Sequence, residues 1–155
     1  MPLLEFDGQK LPQSVTIARF LAREFDLVGK NNAEAAKADA VSDTVADMLN
    51  SLIALAASIQ DPKAKQEAVM KFATEQLPKH LANLEKLASM YGSSGFAVGT
   101  GLTWADLYIF ESTFTFASMM PTIMDKYPAL KKIRHTVETH PKLSNYIKNR
   151  KPTPF

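Results

Sequence analysis

The sequence predicts a mainly α protein: an all-helical domain preceded by a partial α/β unit made of one β-hairpin and one helix. Three observations carry this. The stretch from Leu102 to Met120 opens on a helix-start signal and is then apolar on nearly every side, with Trp104, Leu107, Tyr108, Ile109, Phe110, Phe114, Phe116, Met119 and Met120. A helix that is apolar all round is buried, so other segments must wrap it. Two long helical patterns precede it, from Ala33 to about Ile59 and from Pro62 to about Tyr91. At the start of the chain, Asp7-Gly8 is a hairpin turn signal between two short strand-like runs.

In chain order, Pro2 to Phe6 reads as a strand and Gln9 to Leu11 as its return. Pro12-Gln13-Ser14 turns the chain into a helix from Val15 to Phe25, with Ser14 as its N-cap. Ile17, Phe20 and Leu21 form its apolar face, and Arg19 and Arg23 its polar one. Two strands alone are marginal in water. The unit therefore reads as the second half of a larger α/β element whose first strands are absent. The division is 1–26 for this unit, 27–32 for a linker and 33–155 for the helical domain. Gly29 is expected to end the first helix, and Asn31 or Asn32 to cap the next. Asp61-Pro62 caps and starts the second long helix. Pro78 inside it predicts a kink near residues 74–78. Gly92 to Gly95 end it, and Phe96 to Gly101 form a packed turn. Thr103 caps the central helix, and Asp106 reaches back to the Thr103 amide as the acidic partner of a capping box. Replacing Asp106 with Ala is expected to cost about 0.5–2 kcal/mol. Shorter helices follow Pro128 and Pro141, and prolines extend the tail from Arg150 to Phe155.

Composition narrows the classes. The 155 residues suffice for one core or two small units. A net charge of +2 is too small to indicate a nucleic-acid or membrane surface. At about 17 residues, with Asp106 and Glu111 inside it, the central helix is a poor membrane span. The chain has no cysteine, hence no disulfide, thiolate metal site or cysteine nucleophile. No secretory signal is visible, so a cytoplasmic location is expected.

Candidate chemistry is sparse. A helix N-terminus can hold a carboxylate or phosphate, and Gln13 and Ser14 add donors there; ordinary capping is the plainer reading. Asp39, Asp43 and Asp47 fall four apart on one helix face and repel mildly. They form a solvated stripe, a cation site or a salt-bridging dimer face. His80, His135 and His140 share no motif spacing and read as surface or helix-end residues. Met119, Met120 and Met124 fill core or line an adaptable apolar pocket. Arg150 and Lys151 read as a solvated tail. There is no serine elbow, phosphate loop or zinc pattern.

Taken together these residues resemble the glutathione S-transferases, of the sigma class that includes glutathione-dependent prostaglandin D synthase. Met1 to Gly8 is similar to the third strand of the family's thioredoxin-like domain, beginning at its cis-proline. Leu11-Pro12-Gln13-Ser14 resembles its glutamine-serine motif, followed by the Ile17 to Ala22 helix. Asp39 to Asp47 resembles the acidic run on the first helix of the all-α domain. Ser94 to Gly99 with Leu102 to Asp106 resembles the family's turn and capping box, and Arg150 to Phe155 the sigma-class tail. The resemblance implies that the Met1 backbone, turned by a cis Pro2, binds the cysteinyl part of glutathione. It implies that Gln13 and Ser14 hold the γ-glutamyl carboxylate, and that Asp47 reaches the γ-glutamyl ammonium of a partner subunit's glutathione. It implies a homodimer acting on small hydrophobic electrophiles, or isomerising a hydroperoxide or endoperoxide. A crystallin-like or scaffold protein on the same fold is the alternative.

Two departures bear on this. The family's first strand, helix and strand have no counterpart, and the catalytic tyrosine lies there, so no residue of this chain is assigned catalysis. Some sigma enzymes carry a further acid where this chain has Ala46, so no metal is expected.

Overall fold

A computed structural model describes residues 2–151. The strands are β1 (Leu3–Phe6) and β2 (Gln9–Pro12). The helices are α1 (Ser14–Glu24), α2 (Asn32–Ser58), α3 (Pro62–Glu75), α4 (Leu77–Tyr91), α5 (Trp104–Met119), α6 (Pro128–Thr139) and α7 (Ser144–Asn149). A 3₁₀ turn at Ile123–Lys126 connects α5 to α6. This turn was not foreseen.

The hairpin forms as its turn residues require. Asp7 and Gly8 both have positive φ (46° and 73°), the pattern of a type I′ turn, whose twist matches that of the strands. The strands pair antiparallel, with Leu3 opposite Pro12 and Glu5 opposite Lys10. Alternation puts Leu4, Phe6 and Leu11 half-buried towards α1, while Leu3 is exposed. The Phe6 and Phe20 rings lie 4.6 Å apart and tie the hairpin to α1.

Two expectations for α1 are corrected. Ser14 is its first helical residue, not its cap. Gln13 is the N-cap because its carbonyl already accepts from the Ile17 amide at 2.9 Å. The helix ends at Glu24 rather than at Gly29: Asp26 takes the left-handed conformation (φ 56°) and Leu27 N–H closes onto Ala22 O at 2.7 Å. The Leu27 carbonyl then accepts from Trp104 N–H at 2.8 Å, joining the linker to the start of α5.

In the helical part, α2 packs on α4 and α5, and α6 packs on α4 and α5. Ala38, Val41, Val45 and Met48 of α2, Leu77, Leu81 and Leu84 of α4, Ile109 of α5 and Leu130 and Ile133 of α6 form the fully buried centre. Among the described residues α2 alone is long and apolar enough to cross a membrane by length and composition, and 22% of its most apolar window is buried within the fold. Asn31 caps α2 and Asp61 caps α3, each accepting from the amide three residues on, at 2.9 and 2.7 Å. The kink foreseen near Pro78 is a full break at Gln76, because Pro78 has no N–H to continue the ladder. α6 begins at Pro128, and Glu85 of α4 accepts from the amides of Ala129 and Leu130 at 2.9 and 3.0 Å. That anion at a helix N-terminus comes from a different helix.

α5 is buried along its first part but not to its end. Trp104, Ala105, Ile109, Phe110 and Phe116 are buried, whereas Phe114 is 37% and Met119 53% exposed. The all-round burial expected of it therefore fails on one side of the C-terminal turns, where among the described residues Arg150 lies over the Phe114 ring, 4.5 Å from its centroid, and pairs with Glu111 without closing that side. Met124 is core, and Met120 packs partly against it. The last helix starts at Ser144, later than expected. Residues 152–155, including the prolines of the tail, lie outside the described residues.

Candidate functional site

The hairpin register decides which site candidates meet. Because Leu3 pairs with Pro12, Pro2 sits one step beyond that pair, at the end of the hairpin where the chain turns into α1. Pro2, Gln13 and Ser14 thus share one exposed corner. Met1 and the bond joining it to Pro2, with its expected cis geometry, lie outside the described residues.

Gln13 adopts φ 77° and ψ 117°, a region that non-glycine residues rarely occupy. Such backbone strain costs on the order of 1–3 kcal/mol and tends to gather at functional positions. Ser14 follows as the first residue of an 11-residue helix with no acidic side chain in its first turn. The unpaired amides and the positive dipole end of α1 therefore face solvent, in a form suited to an anion.

Behind this corner, α1 is pinned by a residue the sequence placed only on a polar face. Arg19 Nε donates to Asp39 at 3.0 Å and its Nη2 to Asp43 at 2.9 Å. Its guanidinium also lies over the Trp104 ring, 5.3 Å from the centroid. One side chain of α1 thereby grips α2 and α5 at once. Burial works to lower the Arg19 pKa, but the bonds and charges of Asp39 and Asp43 outweigh it, and the pKa is raised. The acidic stripe thus has a cation from its own chain at two of its three positions. Asp47, one turn further along α2, is exposed, and no hydrogen bond or ion pair joins its carboxylate to α1 among the described residues. The structure does not bring Asp47 to Gln13 and Ser14 within one chain. Arg19 was legible only as a charge; its role appears only where its side chain reaches from α1 to Asp39 and Asp43 of α2.

The capping box of α5 forms as expected and is far more buried than a surface cap. Asp106 is fully buried. Its carboxylate accepts from Thr103 N at 2.7 Å, Thr103 Oγ1 at 2.8 Å and Ala97 N at 2.6 Å. Burial pushes its pKa above the ordinary carboxylate value, against the pull of these donors. Asp106 fixes both the helix start and the preceding turn. In that turn Gly92 is indispensable, since a Cβ there would lie 1.9 Å from the Phe96 carbonyl.

The four tyrosines all lie in the helical part. Tyr127 donates to Pro78 O at 3.0 Å, Tyr108 stacks on Trp104, Tyr91 lies under Lys37, and Tyr146 is exposed on α7. His80 stacks near Phe72, and His140 accepts from Lys142 N through Nδ1 at 3.3 Å. Among the described residues no group of acids and histidines could hold a metal ion.

Comparison with known proteins follows this geometry. Residues 46–150 match the family described as glutathione S-transferase, C-terminal domain. The chain is 37% identical over 153 residues to hematopoietic prostaglandin D synthase of Gallus gallus, covering 99% of this chain and 74% of that protein. It is 32% identical over 166 residues to S-crystallin 3 of Enteroctopus dofleini, covering 100% of this chain and 77% of that protein. It superposes on rat hPGDS complexed with a quinoline with a TM-score of 0.85 at 32% identity, covering 100% of this chain and 75% of that one.

Proposed function

Since the chain belongs to the glutathione S-transferase family, we propose that it forms part of a glutathione site of sigma-class type. The reaction is attack by the glutathione thiolate on a small hydrophobic electrophile, or a glutathione-dependent isomerase or peroxidase step. In the conjugation the thiol gives up its proton, its sulfur bonds the electrophilic carbon, and the leaving group departs. The observation that carries the proposal is the corner at the start of α1. There a strained Gln13 and the first-turn Ser14 stand beside Pro2 at a helix end free of acidic residues.

In this reading the γ-glutamyl carboxylate takes the α1 amides with Gln13 and Ser14, and the cysteinyl backbone takes Met1 and Pro2. Asp47, left over once Arg19 has engaged Asp39 and Asp43, meets the γ-glutamyl ammonium of the other subunit's glutathione in a homodimer. The units of the chain are 1–26, 27–32 and 33–155, and its location is cytoplasmic. No tyrosine stands on β1, β2 or α1 to stabilise the thiolate. The chain by itself is therefore expected to turn over little or no electrophile. Assay of the purified chain with glutathione and a chromogenic electrophile tests this, and turnover comparable with that of an intact transferase would overturn it.

A second reading, a non-catalytic structural protein, draws on the 32% identity to S-crystallin 3 across the whole chain. It predicts no glutathione binding at all, whereas the first predicts binding that depends on Gln13 and Ser14.

A further inference from the structure

Asp7-Gly8, the hairpin turn, is the single Asp-Gly pair of the chain. Both residues are exposed. The Gly8 amide, in the middle of the turn, makes no hydrogen bond among the described residues, and no donor or cation there engages the Asp7 carboxylate. Lys10 pairs with Glu5 instead, at 3.3 Å. Gly8 has no side chain to shield its nitrogen, and a β-carbon built on it would meet nothing within 4 Å. Asp26 supplies the contrast. Its backbone is also left-handed (φ 56° against 46°), but the amide that follows belongs to a branched residue, Leu27, and is bonded to the Ala22 carbonyl at 2.7 Å. Every aspartate other than Asp7 is followed by a residue with a side chain.

We propose that Asp7 is a site of spontaneous covalent modification, closing onto the Gly8 amide to a succinimide and opening in part to isoaspartate, at a rate set by opening of the hairpin. In the first step the Gly8 nitrogen bonds to Asp7 Cγ and gives up its proton, the carboxyl loses its hydroxyl, and the two leave as water. Water then adds at either ring carbonyl and opens it, giving aspartate or isoaspartate. No electrons are exchanged, and water is the single co-reactant. The near-planar ring needs the Gly8 nitrogen eclipsed with Asp7 Cβ, which type I′ torsions do not allow, so the turn must open first. That opening is easy here, because a two-stranded hairpin is marginal in water and the Phe6–Phe20 contact is its main tie to α1. Isoaspartate carries the chain through Cβ and adds one backbone atom to a two-residue loop. Loop length and turn type set the register, so the pairing of Leu3 with Pro12 is lost. Pro2 then moves away from Gln13 and Ser14. The modification does not rest on the glutathione reading, but it would dismantle the corner on which that reading stands.

The test is to age the purified chain at neutral pH and body temperature. It is then digested with an endoproteinase that cuts before aspartate but not before isoaspartate. The expected result is a growing fraction of peptide left uncut at Asp7 and unchanged in mass, with full cutting at the other aspartates as internal controls. Phe6→Ala loosens the hairpin without touching Asp7 or Gly8, and Phe6 lies outside the buried helical core. It should speed conversion about two- to tenfold, the worth of one aromatic pair. A synthetic peptide of residues 3–12, which no helix holds closed, should convert faster still. In the converted fraction, nuclear Overhauser contacts between Leu3 and Pro12 should vanish. Full cutting at Asp7 in the aged chain while the peptide converts would overturn the site. Equal rates in the wild type, Phe6→Ala and the peptide would overturn control by the hairpin, and surviving Leu3–Pro12 contacts would overturn the shift of register.

Discussion

At the scale of single residues, Arg19 carries the most weight. It makes two ion pairs and one cation–π contact while three-quarters shielded from solvent. Exposed ion pairs contribute little, but here several contacts converge on one partly buried guanidinium. Arg19→Ala should lower stability by about 1–3 kcal/mol, measured by urea denaturation. A double-mutant cycle with Asp39→Asn should show positive coupling, and additivity of the two changes would contradict the pinning role. Asp106 is the second case. From sequence alone its loss is expected to cost about 0.5–2 kcal/mol, the worth of a surface cap. Its full burial and three donors raise the expectation for Asp106→Ala to about 3–5 kcal/mol, since each buried donor loses its acceptor. Its pKa gives a signed test. The folded-state value is raised, so the carboxyl's contribution is full below the unfolded value near 4 and is lost as pH rises through the folded one. The stability of the wild type relative to Asp106→Asn should therefore shrink as pH rises above about 4, and a gap that widens would contradict the burial argument. Gln13 divides stability from binding: Gln13→Gly should relieve the positive-φ strain and gain about 0.5–1.5 kcal/mol, while weakening glutathione binding.

At the scale of elements, what sequence could read was what local chemistry specifies. The Asp7-Gly8 turn, the Asn31 and Asp61 caps, the break at Pro78 and the Thr103–Asp106 box all act within a few residues of themselves. Contributions from other helices stayed hidden. Glu85 capping α6 across more than forty residues of chain and Arg19 reaching α2 have no local signature. The end of α5 misled for a related reason. Its composition is that of a buried helix, yet Phe114 and Met119 remain open on one side of its last turns, while Phe116 on the same turns is buried. Glu85→Ala should destabilise the fold by about 1–2 kcal/mol by leaving two amides at the start of α6 without their acceptor. Thermal unfolding would check this, and an unchanged midpoint would reduce Glu85 to a surface residue.

At the scale of the whole molecule, the partial α/β unit is held to the helical part by few fastenings: Arg19, the Leu27–Trp104 backbone bond and the packing of Val15, Ala18 and Ala22. The corner at Pro2, Gln13 and Ser14 belongs to the smaller unit, while Asp47 belongs to the larger. Gln13 and Ser14 were legible as donors at a helix N-terminus and Asp47 as part of an acidic face, but their proposed assignment to glutathione rests on the family resemblance, because a helix N-terminus and an exposed aspartate are common in any helical protein. The proximity of Pro2, Gln13 and Ser14 at one hairpin end comes from the strand register, which the turn chemistry dictates. The central claim, that the start of α1 holds glutathione, is tested most directly by isothermal titration of glutathione into the purified chain and into Ser14→Ala. The account predicts saturable binding to the wild-type chain, weakened about tenfold or more in the variant by loss of a charge-assisted hydrogen bond. Binding of equal strength to both, or to neither, would contradict it.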